Sequence, residues 1–233
     1  MKNRKRQWCV YCIIIVSFFL TILWSSRAVT VISENMPVER RSCILIDPGH
    51  GGVDGGAISI SGRAESIFNL EISLRLRDLL HFLGYDTRMT RSEDVSIYTK
   101  GDTIAQKKIS DLKERVRIAN SADNLILLSI HQNSFPDKRY SGAQIFYAKT
   151  NGSRDLAEKL QDSFVQQISS TQKRKAKPSN GVYLMEHIRC TGVLIECGFL
   201  SNPVEEAFLR STAYQKKLCC IISGAVSQFL SNT

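Results

Sequence analysis

The feature that most constrains this chain is a change of pattern between Ser42 and Gly56. Residues 42–46 form a short apolar run rich in β-branched side chains, which reads as a fully buried strand. Asp47-Pro48-Gly49 stops that strand abruptly. His50 then stands among glycines (Gly49, Gly51, Gly52, Gly55, Gly56) that let the backbone take positive φ and approach a ligand closely. The same grammar recurs further along. Residues 124–130 read as a buried strand ending on His131, and residues 192–196 as a third ending on Glu196. Polar chemistry held at the carboxyl ends of apolar strands is where open α/β sheets bind their ligands.

Between these strands the spacing turns helical. Residues 65–83 carry Ile67, Leu70 and Leu74 beside a second stripe of Ile72, Leu76 and Leu80, with Gly84 as the stop. Residues 85–90 predict a strand, 94–110 a patternless surface loop, and 111–122 a helix with Leu112, Val116 and Ala119 inward and its charges outward. A strand at 143–148, a helix at 154–168 and a basic, proline-containing loop at 171–180 follow, the loop leading into a further strand. Asn202-Pro203 opens another helix, and 214–230 is the closing one. Alternating strands and helices predict an α/β fold: a single domain over 42–233, built on a twisted, mainly parallel β-sheet with helices on both faces.

The first residues belong to a different class. Lys2, Arg4, Lys5 and Arg6 precede an uncharged run over 7–26, the pattern of an export signal or single membrane anchor with its amino end inside. Residues 1–28 are therefore expected to be a signal peptide or anchor, and 29–41 a linker. The protein is expected to act outside the cytoplasm, held at the membrane or secreted. Its net charge of +9 suits an anionic polymer such as cell wall; export makes nucleic acid a poor partner. Seven cysteines include two in the membrane segment, and the remainder is odd, with no zinc-knuckle spacing and no disulfide framework.

In a parallel sheet the carboxyl ends share one edge, so His50, His131 and Glu196 can converge, and Glu65 opens the helix that crosses that edge. Two histidines and one carboxylate, with a second carboxylate held free, make the set of a catalytic zinc hydrolase: three ligands, one open coordination position and one proton carrier. Simpler roles exist for each residue. Glu65 could favour the positive end of its helix dipole, Glu196 could pair with a lysine, and each histidine could be a satisfied hydrogen-bonder.

A resemblance narrows these alternatives. Ile46-Asp47-Pro48-Gly49-His50-Gly51-Gly52, the Glu65–Asn69 segment, Ser129-Ile130-His131-Gln132-Asn133 and Ile195-Glu196-Cys197-Gly198-Phe199-Leu200-Ser201-Asn202 resemble the motifs of the zinc-dependent N-acetylmuramoyl-L-alanine amidases. Leu112-Lys113-Glu114-Arg115-Val116 with Ala119-Asn120 resembles that family's helix before the second histidine strand. The resemblance implies zinc (Zn2+) held by His50, Glu65 and His131, Glu196 as the catalytic carboxylate, and peptidoglycan as substrate, cut between N-acetylmuramic acid and L-alanine. Gly142–Tyr147, Arg174-Lys175-Ala176-Lys177 and Gly181–Met185 are similar to the germination-specific amidases of the CwlD type, which strip stem peptides from spore cortex so that muramic-δ-lactam can form. Glu186 and Thr191 depart from that pattern, where a basic residue and a proline are usual. The basic loop around Lys173, Arg174, Lys175 and Lys177 could hold peptidoglycan carboxylates or be a solvated charge run. Whether an activating protein partner is needed stays open. Competing readings are a vegetative autolysin of the same chemistry, a non-catalytic wall-binding protein, and a cysteine enzyme using Cys190 or Cys197 with His187 as base. Strand alternation argues against Cys197, which directly follows Glu196.

Overall fold

Every position of strand β1 (Cys43–Pro48) is buried, as a strand covered on both faces requires. The computed structural model describes residues 42–168 and 173–232; the expected signal or anchor at 1–28 and the linker at 29–41 lie outside the described residues. β1 belongs to a six-stranded sheet in the order β2 (Thr87–Met89), β1, β3 (Leu125–Asn133), β6 (Thr191–Phe199), β4 (Gln144–Tyr147), β5 (Lys177–Pro178). The first four strands in that order run parallel; β4 is antiparallel to β6, and β5 is parallel to β4.

The period of two sorts side chains onto two cores. Ile44, Ile46, Ile126, Leu128, Ile130, Val193 and Ile195 face the helices α1 (Glu65–Phe82), α3 (Ser153–Gln167) and α6 (Thr212–Leu230). Leu45, Leu125, Leu127 and Leu194 face the other way, toward Ala119 of α2 (Ile104–Ala119) and Leu184 and Met185 of α4 (Tyr183–His187). In α1, Phe68, Ile72, Leu76 and Leu80 are wholly buried; truncating one of these leucines to alanine would cost about 2–5 kcal/mol. α5 (Pro203–Arg210) starts where Asn202 accepts from the amides of Val204 and Glu205, with proline at the first position.

Several expected boundaries differ. α2 begins inside the stretch expected to be a loop, at a capping box in which Thr103 and Gln106 satisfy each other's backbone amides. Its first turns expose Ile104 and Ile109, so no apolar stripe announces them. Its charges are not all outward: Arg115 is buried. β3 and β6 run on past His131 and Glu196 to Asn133 and Phe199, with a register shift between His131 and Asn133. The strand expected after the basic loop is replaced by the short β5 and the helix α4.

Candidate metal centre

β1 delivers His50 two residues beyond its end, in the left-handed region at φ 59°, a conformation that a non-glycine residue adopts only when its surroundings hold it there. Buried Arg91 helps to hold it. Its guanidinium donates to the carbonyls of Pro48 (3.0 Å) and Gly49 (3.0 Å) and to Ser66 O at the start of α1 (3.0 Å). The loop of His50 and the first turn of α1 are thereby fastened to one group, which sets the spacing between His50 and Glu65.

Glu65 lies in that first turn, buried, and both of its oxygens accept hydrogen bonds. Oε1 accepts from Gln132 N (3.2 Å) and Asn69 Nδ2 (3.2 Å) and lies 3.0 Å from His131 Nδ1. Oε2 accepts from Ala57 N (3.0 Å) and lies 3.3 Å from His50 Nε2. One donor atom from each of His50, Glu65 and His131 falls within 4.8 Å of the others. The ring of His50 meets that of His131 edge-on at 5.0 Å. Burial would push the Glu65 carboxyl up, but the hydrogen bonds from His131 and His50 hold it well below the usual carboxylate range. Burial likewise opposes charge on His50, yet Asp54 and Glu65 together raise it to about 9.

Two glycines make this cluster sterically allowed. A Cβ on Gly49 would stand 2.1 Å from His131 Nε2, and one on Gly56 (φ +70°) 2.6 Å from Glu65 Oε2. The residues therefore fit a small cation. They offer a hard carboxylate and two imidazoles, the His2Glu combination that zinc accepts in hydrolases, inside a shell that no larger side chain could share.

Glu196 pairs in register with His131 across β3 and β6, and with Gln144 across β6 and β4. It is partly exposed, but Oε2 is shut off from solvent and has no hydrogen-bond partner among the described residues. Burial, opposed by His131 and helped by the charge of Glu65, lifts its carboxyl to about 7. Two carboxyls thus stand at this edge, one fixed by three donors and one with an oxygen unmet.

The remaining candidates separate from this cluster. All five cysteines among the described residues are free. Cys197 faces the core with its thiol pushed up by burial. Cys190, raised to about 11 by burial, precedes the amino end of β6, opposite to Glu196. His187 Nδ1 is bonded to Tyr183 O (2.8 Å) and its ring stacks on Tyr183. Of the basic loop, Arg174 packs over Phe199 at 5.3 Å and donates to Ser141 O (3.0 Å). The two departures from the amidase pattern hold the backbone. Glu186 accepts from Gly181 N (2.6 Å), and Thr191 donates to Asn151 O (2.9 Å).

A mainly parallel sheet with a candidate metal site at one edge is the architecture of an α/β hydrolytic enzyme, and comparison with known proteins gives the family. The N-acetylmuramoyl-L-alanine amidase family model (Amidase_3) matches residues 44–228. A germination-specific N-acetylmuramoyl-L-alanine amidase of Bacillus subtilis (strain 168) is 37% identical over 190 residues, 81% of this chain and 79% of that protein. The CwlD amidase from Clostridioides difficile, solved in complex with the GerS lipoprotein, superposes with a TM-score of 0.79 at 35% identity, over 82% of this chain and 100% of that one. An N-acetylmuramoyl-L-alanine amidase from Clostridium difficile 630 superposes at 0.71 with 29% identity, over 81% and 96%. The chain belongs to the N-acetylmuramoyl-L-alanine amidase family. It is an amidase acting on peptidoglycan.

Proposed function

We propose that this protein is a zinc-dependent N-acetylmuramoyl-L-alanine amidase of spore cortex, removing stem peptides so that muramic-δ-lactam can form. His50, Glu65 and His131 hold the metal and Glu196 carries the proton. The observation that carries the assignment is the contrast at the site: three amide donors fix the Glu65 carboxylate while it still faces both histidines, whereas Glu196 Oε2 is buried and unpartnered. Zinc held by the three donors would supply Lewis-acid polarisation of the scissile carbonyl.

Glu196 does the proton work. Its carboxylate accepts a proton from the attacking water as the new C–O bond forms at the lactyl carbonyl carbon. It returns that proton to the amide nitrogen as the C–N bond breaks, leaving a muramic carboxylate and the free amine of L-alanine. A carboxyl held at about 7 by burial accepts and releases protons with little free-energy change near neutral pH. Asn69 keeps Glu65 out of this role, donating to its Oε1 while its own Oδ1 accepts from Gln132 Nε2 (3.3 Å).

Export through residues 1–28, as a cleaved signal or a retained anchor, would bring the domain to its substrate. The clostridial CwlD relative was solved with a lipoprotein, which supports a protein partner at the membrane surface for this chain as well. The test is mass spectrometry of muropeptides after digestion of spore-type and vegetative peptidoglycan, with and without chelator. Stem-peptide release from spore-type material, lost with chelator and restored by Zn2+, is the expected result. Equal release from vegetative wall would favour an autolysin, and chelator-resistant release would remove the metal from the mechanism.

A further inference from the structure

We infer that α2 is the mount of the metal centre. A stripe of charged residues on its inward side, Lys108, Asp111 and Arg115, holds His50 by its ring and by its main chain at once, making Asp54 and Arg115 positioning residues for the amidase reaction. This rests on the metal reading above.

Spacings of three and seven place Lys108, Asp111 and Arg115 along one side of a helix; Lys108 and Arg115 reach different parts of the His50 loop, and Asp111 holds Arg115 in place. Lys108 Nζ lies 3.2 Å from Asp54 Oδ2, and the same oxygen lies 3.0 Å from His50 Nδ1. An ammonium and an imidazole thus share one carboxylate oxygen. With Nδ1 given to Asp54, it is Nε2 of His50 that faces Glu65 at 3.3 Å and offers its lone pair to the cluster.

Arg115 works on the backbone. Its Nη2 donates to His50 O (2.7 Å), Nη1 donates to Pro48 O (2.8 Å) and to Asp47 Oδ1 (2.5 Å), and Nε donates to Asp111 Oδ2 (2.6 Å). Asp111 also accepts from Ile97 N (2.7 Å), so the segment leading into α2 is tied to the same side. A planar fork with five donors can meet these acceptors together, whereas an ammonium cannot. The conformation it secures is the left-handed one at His50, which a residue with a side chain does not hold unaided.

A merely structural role would account for part of this. Arg115 is 3% exposed and its charge is matched by Asp47 and Asp111, as burial of a guanidinium demands. It would not account for Lys108. That side chain is half exposed, contributes nothing to the core, and pairs with the carboxylate that meets Nδ1 of the His50 ring.

The test uses the full chain in detergent. Zinc affinity is measured by competition with a chromophoric chelator, alongside the visible spectrum of the Co2+-substituted protein and the melting temperature of the metal-free protein. Asp54→Ala is expected to weaken zinc binding by roughly 10–100-fold, to shift the Co2+ bands, and to leave the metal-free melting temperature in place. Asp54→Asn, which keeps an acceptor for Nδ1, should recover part of the affinity. Lys108→Met should give a smaller loss in the same direction, reversed in Lys108→Arg. Arg115→Lys should lower both affinity and kcat while KM holds; if it does not fold, the Asp54 and Lys108 variants carry the test. Wild-type zinc affinity and an unshifted Co2+ spectrum in both Asp54→Ala and Lys108→Met would overturn the positioning role while leaving the metal reading intact. A wild-type protein that takes up no stoichiometric zinc would instead remove that reading itself.

Discussion

The first turn of α1 and the outer half of β6 each bring a glutamate to the same edge of the sheet, and they treat it in opposite ways. Glu65 is the more buried of the two, yet its carboxyl is held low, because two backbone amides, one asparagine and two imidazoles meet its oxygens. Glu196 keeps some exposed surface, but burial of its carboxyl raises it to about 7, and no hydrogen bond at Oε2 offsets that. Asp47, wholly buried beside them, shows the same balance. Burial pushes it up, and Arg115, Thr90 and Ser129 more than reverse the effect, so it lies below its ordinary value. At this edge burial pushes all three carboxyls up, and the partners each one meets decide whether that push is reversed.

The comparison can be broken most directly by exchanging the roles. Glu65→Gln and His131→Ala should abolish stoichiometric zinc and turnover together, read by elemental analysis beside an amidase assay. Zinc retained in Glu65→Gln but lost in Glu196→Gln would invert the assignment. Glu196→Gln itself keeps shape and reach but cannot take a proton. Turnover should fall by about 10²–10⁴-fold with zinc content and circular dichroism unchanged, and near-normal turnover in the zinc-loaded protein would sink the proton role.

Asp47 supplies the stability arm. Asp47→Ala leaves Arg115 short of a partner and should cost about 3 kcal/mol in urea unfolding. Its folded pKa is depressed, so its contribution is fully present above the unfolded value of about 4 and is lost as pH falls toward the folded one. The wild-type protein should therefore lose stability more steeply than Asp47→Ala on acidification below about pH 4. Parallel acid limbs would mean that Asp47 is not charged in the fold. The smallest effect is expected from thinning the shell of Glu65. Asn69→Ala removes the donor to its Oε1 and to Gly49 O, at about 1–3 kcal/mol, and an unchanged unfolding midpoint would show those hydrogen bonds to be replaceable.

Much of the frame was legible in the chain. The strands of His50, His131 and Glu196 announce themselves because apolar runs and β-branched residues are local signals, and the alternation of strands and helices gives a mainly parallel sheet. The start of α2 was legible too, in Thr103 and Gln106, but its exposed Ile104 and Ile109 broke the apolar stripe that periodicity looks for. Arg115 turned inward against that reading because an arginine follows its acceptors, and besides Asp111 on its own helix those acceptors belong to β1 and its loop. The antiparallel entry of β4 and the replacement of a strand by α4 were not legible either, since direction and register are set by what lies alongside.

By itself, then, the sequence determined which residues stand at the ends of which strands, and therefore which side chains could meet. Only the tertiary structure decided what each of them would be on arrival. The donors to Glu65 come from the loop before its helix, from its own helix and from β3, whereas the neighbours of Glu196 leave one of its oxygens unmet. A carboxylate's residue type and position along the chain are local facts. Its proton affinity is a sum over neighbours that folding brings from elsewhere in the chain, and that sum separates a group suited to hold a cation from one suited to move a proton.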